Sequence, residues 1–251
     1  MDFDLSILLI VLPFIFIGGL VDSIAGGGGV VNMIGFMISG VPMHHALGTN
    51  KVASFFGTLV AAYNYIKNGH FKKEFVIFAI VGSLIGSTIG SYLANIIAQD
   101  TLRWIMTIVL PIAALIMLSG FKPKGSLLNA STKRIFIVTF FIGLTIGFYD
   151  GILGPGTGTF LIIAFSLCGL SLLDANGNAK MVNLASNVMA GLMFLFHGKV
   201  LFWLVIPCII TNVIANNIGS RLAIKNGEKV VRPIIIGVLI LLFIRTIVDI
   251  I

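Results

Sequence analysis

The chain has 251 residues, 58% of them hydrophobic and 10% charged, with a mean hydropathy of +1.10. A water-soluble domain carries about a quarter charged residues, so a soluble globular protein is excluded and a polytopic membrane protein is indicated. The net charge of +7 comes from Lys and Arg clustered between apolar runs, the pattern of membrane topology rather than of nucleic-acid binding.

The first apolar run, within MDFDLSILLIVLPFIFIGG, follows Asp2 and Asp4 with no basic residue and no clean small-residue cleavage site. It reads as a retained first helix rather than a signal peptide. In chain order the apolar segments fall near 5–21, 24–40, 46–66, 75–98, 102–119, 135–149, 154–173, 178–197, 200–222 and 233–250. Such lengths suit helices crossing a hydrocarbon core about 30 Å thick. The pieces beside the glycine runs, 24–40 and 154–173, are interrupted rather than continuous.

Shifted by 129 residues, the sequence lies on itself. GTNK at 48–51 falls on GNAK at 177–180, Gly69 on Gly198, and IGSYLA at 89–94 on IGSRLA at 218–223. At a shift of 128, Asp22 meets Asp150, Gly26 meets Gly154 and Gly28 meets Gly156. Agreement this sustained indicates duplication. It divides the chain into a first transmembrane repeat over 1–120, a cytoplasmic linker over 121–133 and a second repeat over 134–251.

The basic residues gather in three links: Lys67, Lys72 and Lys73; Lys122, Lys124, Lys133 and Arg134; Arg221, Lys225, Lys229 and Arg232. Placing all three links in the cytoplasm puts eleven of the 16 Lys and Arg inside. Five crossings then separate corresponding points of the halves, so the second repeat is upside down relative to the first. The competing arrangement makes each glycine segment a re-entrant loop, with eight crossings and parallel repeats; it leaves the last link outside. The fold expected is an all-α polytopic membrane protein of two homologous, inverted halves of five segments each, eight to ten spans depending on how the glycine segments are counted.

GSLIGSTIGS at 82–91 places Gly82, Gly86 and Gly90 four apart, a small-residue stripe for close helix packing. Its counterpart, TNVIANNIGS at 211–220, carries Asn212, Asn216 and Asn217, amides that need partners inside the bundle and are candidates to line a polar cavity.

Three devices bear on function. The runs Gly26, Gly27, Gly28, Gly29 and Gly154-Pro155-Gly156-Thr157-Gly158 are poor helix formers. A helix broken there exposes the N–H groups of the half-helix that follows, an anion site, and paired breaks in two repeats point to a transporter's substrate site. Lys51 and Lys180 occupy matching places, with Thr49, Asn50 and Ser54 beside the first and Asn183 and Asn187 beside the second. On a helix, Lys180, Asn183 and Asn187 share a face, as do Lys51, Ser54 and Thr58. A polar face this rich among Val, Leu, Phe and Met should line a passage. Asp22 and Asp150 are intramembrane carboxylates open to three roles: pairing with a lysine of either half, capping the following half-helix, or carrying a coupling proton. Tyr149 adds a hydroxyl beside Asp150.

Cys168 and Cys208 sit in apolar surroundings without CxxC spacing and read as packing residues. His44, His45, His70 and His197 lie near membrane edges and receive no chemistry. No metal cluster, nucleotide loop or nucleophile–base pair stands out, so neither a cofactor nor an enzymatic role is expected.

At these motifs the chain resembles the sulfite exporter TauE/SafE family of bacterial membrane proteins. The residues that carry the resemblance are GFYDGILGPGTGTF at 147–160, AKMVNLASN at 179–187, GSRLAIKNGEKVVRPIII at 219–236, GLVDSIAGGGG at 19–29 and ALGTNK at 46–51. It implies a multi-pass transporter in the bacterial plasma membrane for small sulfur-containing anions such as sulfite or organosulfonates, typically exported. The expected mode is alternating access about a mid-membrane site. The alternatives are an anion channel or passive pore, or a transporter of another small organic anion. Ser54 and Thr58 stand where the second half has Asn183 and Asn187, so the halves are not expected to contact the anion equally.

Overall fold

A computed structural model of the chain describes residues 4–98, 101, 127, 130–231, 233–234 and 236–237. The expected span at 102–119, almost all of that at 233–250, and Lys122, Lys124 and Arg232 lie outside the described residues. Those described form eight α-helices: α1 (Leu5–Ala25), α2 (Gly28–Ile38), α3 (Met43–Lys67), α4 (Lys73–Ile96), α5 (Thr132–Ile152), α6 (Thr157–Leu167), α7 (Leu172–Phe196) and α8 (Phe202–Asn226). Five of them, α1, α4, α5, α7 and α8, are long and apolar enough to cross a membrane.

The chain is inside-out relative to a soluble protein. Large apolar side chains face outward, Leu9 70% and Phe196 80% exposed, while Lys51, Lys180, Asp150, Asn176, Asn212 and Ser87 are buried. Only a hydrocarbon surround makes that distribution favourable. This is a multi-pass membrane protein.

The two glycine segments are not spans. α2 and α6 have 11 residues each, about 16 Å at 1.5 Å per residue, half a hydrocarbon core. α1 ends at Gly26, whose φ of 79° a side chain resists, and its N–H closes onto the Asp22 carbonyl. The chain then reverses, and α2 folds back along α1: Gly28 packs on Gly18 and Asp22, and Gly35 on Phe14. α1 and α2 are thus an antiparallel hairpin with its tip at 26–27. α5 and α6 form the matching pair, interrupted at 153–156 with Gly154 and Gly156 both at positive φ.

Helix directions follow from which residues meet. Gly82, Gly86 and Gly90 of α4 abut the backbones of Phe140, Leu144 and Phe148 of α5 in ascending order, and Ser83 and Ser87 reach the carbonyls of Val182 and Ser186 on α7. α4, α5 and α7 therefore run the same way. Gly19 and Ser23 of α1 meet Ala215 and Gly219 of α8, and Gly57 and Asn64 of α3 meet Asn212 and Asn217, so α1, α3 and α8 share a direction too. The sets oppose each other: Gly48 near the start of α3 packs on Phe194 near the end of α7, and Gly177 packs on His70, just beyond α3. Repeat-equivalent helices α3 and α7 are antiparallel. One consequence is that Lys67, Lys72, Lys73, Lys133, Arg134, Arg221, Lys225 and Lys229 gather at one end of the bundle.

The halves interlock. The fourth helix of each, α4 and α8, packs mainly on the other half, α4 on α5 and α7, α8 on α1 and α3. Glycine makes the α4–α5 contact close enough for backbone to touch backbone: a side chain at Gly82, Gly86 or Gly90 would collide with a main-chain oxygen of α5. The asparagine stripe of α8, a candidate to line a polar cavity, lies in helix packing. Asn64 donates to Asn217 Oδ1 (3.0 Å) and Ser220 Oγ (2.9 Å), while Asn216 donates to the Asn212 carbonyl (3.0 Å). These amides bond within α8 and across the α3–α8 contact and do not reach the cavity described next.

Candidate functional site

The two hairpin tips meet inside the bundle. Gly26 lies so close to Gly158 that neither tolerates a side chain, and the Thr159 hydroxyl donates to the Ala25 carbonyl at 2.7 Å. At this junction is a cavity of about 20 Å³ lined by both halves: Asp22, Gly26, Gly29, Asn50, Lys51 and Ser54 from the first, Asp150, Gly154, Thr157, Gly158, Asn183 and Asn187 from the second. That volume holds about one water molecule.

Each lysine is paired with the aspartate of the opposite half. Lys51 on α3 reaches Asp150 on α5 at 2.7 Å, with side chains 3% and 2% exposed. Lys180 on α7 reaches Asp22 on α1 at 2.8 Å, with 0% and 16% exposed, and its ammonium also donates to the Asp22 carbonyl near the end of α1. A cation at a helix C-terminus is favoured by the helix dipole. Both aspartates pair across the repeat, the first of the three roles open to them. Capping is not realised: Gly27 and Gly156 are the N-caps of α2 and α6, and neither helix start has a side-chain cap.

Some first-turn amides of those two half-helices are turned into their own tips, Val30 N to the Gly27 carbonyl and Thr157 N to the Gly154 carbonyl. The N–H groups of Gly28, Gly29, Gly158 and Thr159 meet no acceptor among the described residues, and Gly29, Thr157 and Gly158 border the cavity. Two helix N-termini, the Lys51 ammonium and the amides of Asn50, Asn183 and Asn187 surround the volume, with Lys180 behind Asp22, so the fixed charge of the two ion pairs cancels there. An anion entering here gains the donors, and to gain a full positive charge it must displace a carboxylate or meet it protonated.

Not every residue expected at the site lines it. Gly27 and Gly156 shape the tips, and Gly28 serves the α1–α2 contact. Thr49 sits at the end of the bundle, where its hydroxyl accepts from Leu201 N at 3.1 Å. The Tyr149 hydroxyl donates to the Pro155 carbonyl at 2.5 Å within the second tip. Lys180 acts through Asp22 rather than as part of the cavity wall. Asn32, Tyr65 and Thr159 carried no expectation, and Gly158 was expected only as part of the second glycine run. Gly158 closes the cavity, and Asn32 donates to Asn50 Oδ1 at 2.9 Å, orienting that lining amide. Their signal was available only in part: Gly158 and Thr159 belong to the second glycine motif, whereas Asn32 and Tyr65 look like ordinary helix residues. Among the described residues no group of three His, Cys, Asp or Glu gathers as a metal site.

The family model described as "Sulfite exporter TauE/SafE" matches residues 11–246. The chain belongs to the TauE/SafE family. Similar proteins carry transporter names. One is a "Probable membrane transporter protein ORF9" of Sinorhizobium sp, 37% identical over 251 residues that cover 98% of this chain and 95% of the relative. Another is a "Probable membrane transporter protein YfcA" of Escherichia coli (strain K12), 32% identical over 92% of this chain and 86% of the relative. A Haemophilus influenzae "Probable membrane transporter protein" is 27% identical over 94% and 92%. TauE/SafE membership and these relatives make this chain a membrane transporter of the TauE/SafE type.

Proposed function

We propose that this TauE/SafE protein is a secondary transporter of the bacterial plasma membrane that exports small sulfur-containing anions, sulfite or organosulfonates, by alternating access. The single observation that carries the reading is the reciprocal pairing of Lys51 with Asp150 and Lys180 with Asp22 around a junction of two uncapped helix N-termini. The antiparallel course of α3 and α7 supports inverted repeats, whose halves can rock about a fixed site and open it to either side. The end where the basic residues gather is the cytoplasmic one.

The anion binds where the tips meet. Gly29 and Gly158 offer backbone donors, Asn50, Asn183 and Asn187 amides, and Lys51 and Lys180 positive charge. A proton on Asp22 or Asp150 releases the facing ammonium to the anion and supplies the coupling. The small cavity favours a carrier between open states over a permanently open pore. The test is a thermal-shift screen of purified protein with sulfite, sulfate, thiosulfate, taurine and sulfoacetate, since a ligand stabilises the state it binds. Stabilisation by a sulfur oxyanion, lost in Lys180→Gln, is expected; no shift with any of the five would end the reading.

A further inference from the structure

The two tips are duplicated in sequence but held very differently. At the first, the last carbonyls of α1 accept side-chain donors from the second half and from α3. The Tyr65 hydroxyl donates to Ser23 O at 3.0 Å. Asn176 Nδ2 donates to Ile24 O at 2.6 Å and to the Tyr65 hydroxyl at 2.7 Å. Thr159 donates to Ala25 O, and Lys180 to Asp22 O. Tyr65, Asn176, Thr159 and Lys180 are all buried, so no water competes for these bonds.

At the second tip the equivalent donors are missing. The repeat puts Phe194 where Tyr65 stands, Leu47 where Asn176 stands, and a valine (Val30 or Val31, by either register) opposite Thr159. No side chain of the described residues donates to the carbonyls of Gly151, Ile152 or Leu153. The hydrogen bonds seen there run within the tip, Tyr149 to Pro155 O and Thr157 Oγ1 to Gly154 O, and Lys51 pairs with the Asp150 side chain alone. Backbone groups at membrane depth without fixed partners are the ones that can re-pair at least cost.

We infer that Tyr65, Asn176 and Thr159 are positioning residues that lock the first tip, 22–28, as the stationary wall of the site, and that the second tip, 150–156, is the part that rearranges when the site opens. This rests on the transport reading above and assigns its moving element. A symmetric rocking of equivalent halves would need the two tips to be equally free, and they are not.

Hydrogen exchange on the purified full chain, with no anion present, compares the amides of 22–30 with those of 150–160. The second set should exchange about tenfold faster or more. Asn176→Leu should raise exchange at the first tip toward that of the second, and Tyr65→Phe, which removes one hydroxyl and keeps the ring, should do so in smaller measure should the former fail to fold. The reciprocal change, Phe194→Tyr, installs the missing hydroxyl. It should slow exchange at 150–156 and lower the maximal rate of sulfite transport in proteoliposomes, with the half-saturating concentration unchanged. Equal exchange at the two tips, or faster exchange at the first, would overturn the inference and leave the transport reading standing. Absence of sulfite, thiosulfate and sulfonate transport by the unsubstituted protein would instead strike the reading itself, and the role assigned to the tips with it.

Discussion

Lys51 of the first repeat and Asp150 of the second lie 2.7 Å apart with almost no exposure, and their repeat equivalents, Lys180 and Asp22, meet at 2.8 Å. Each half supplies the counter-charge for the other. Removing one partner of a buried pair leaves a charge without compensation, which costs about 3–5 kcal/mol, whereas removing both costs far less. Lys51→Gln should therefore lower the melting temperature of the detergent-solubilised protein more than Lys51→Gln combined with Asp150→Asn. A double mutant no more stable than the single one would mean the pair is not the relevant interaction.

Asp150→Asn alone tests whether the carboxylate and the anion compete for the Lys51 ammonium. If they do, this change should tighten sulfite binding by about tenfold, read by isothermal titration. Weaker binding in Asp150→Asn would argue against competition.

Gly154 has a φ of 87°, and a methyl group there would sit 2.9 Å from Lys51 Nζ. Gly154→Ala combines left-handed backbone strain of about 1–2 kcal/mol with displacement of the ammonium, so it should lower both stability and anion affinity. At Gly29 the nearest atom to an added methyl is 3.5 Å away. Gly29→Ala should leave the melting temperature within a degree or two of the original while weakening anion binding, since it narrows the cavity wall.

The α4–α5 stripe is structural. Gly86→Val drives a side chain into the Leu144 carbonyl and should abolish the folded protein in membranes, read by size-exclusion of detergent extracts. Ile85→Val, at a position 45% exposed and facing lipid, should be silent.

Asn64→Leu removes the donor shared by Asn217 and Ser220. Interhelical hydrogen bonds in membranes are worth about 1–2 kcal/mol at most, so a modest drop in melting temperature is expected. Anion affinity should not change, because these amides lie outside the cavity. A loss of binding without a loss of stability would return the α8 stripe to the site.

Much of this was legible in the residues. Hydropathy required a membrane, the 128- and 129-residue offsets revealed the duplication, and Gly26, Gly154, Lys51, Lys180, Asp22 and Asp150 stood out because such residues are costly at membrane depth. Periodicity could not say that 24–40 and 154–173 are half-length hairpin arms, since an apolar run looks the same whether it crosses the bilayer or turns back. Nor could it separate Asn183, which borders the cavity, from Asn212, which packs on α3, since both are asparagines on apolar helices.

By itself, then, the order of amino acids determined the helical membrane class, the duplication and the expensive residues worth explaining, because these depend on local composition and spacing. Tertiary structure alone decided that each lysine takes the aspartate of the other half, and that Tyr65 and Asn176 hold carbonyls of the first tip. Those outcomes depend on which helices cross and in which direction, and residues more than a hundred positions apart carry no local sign of meeting.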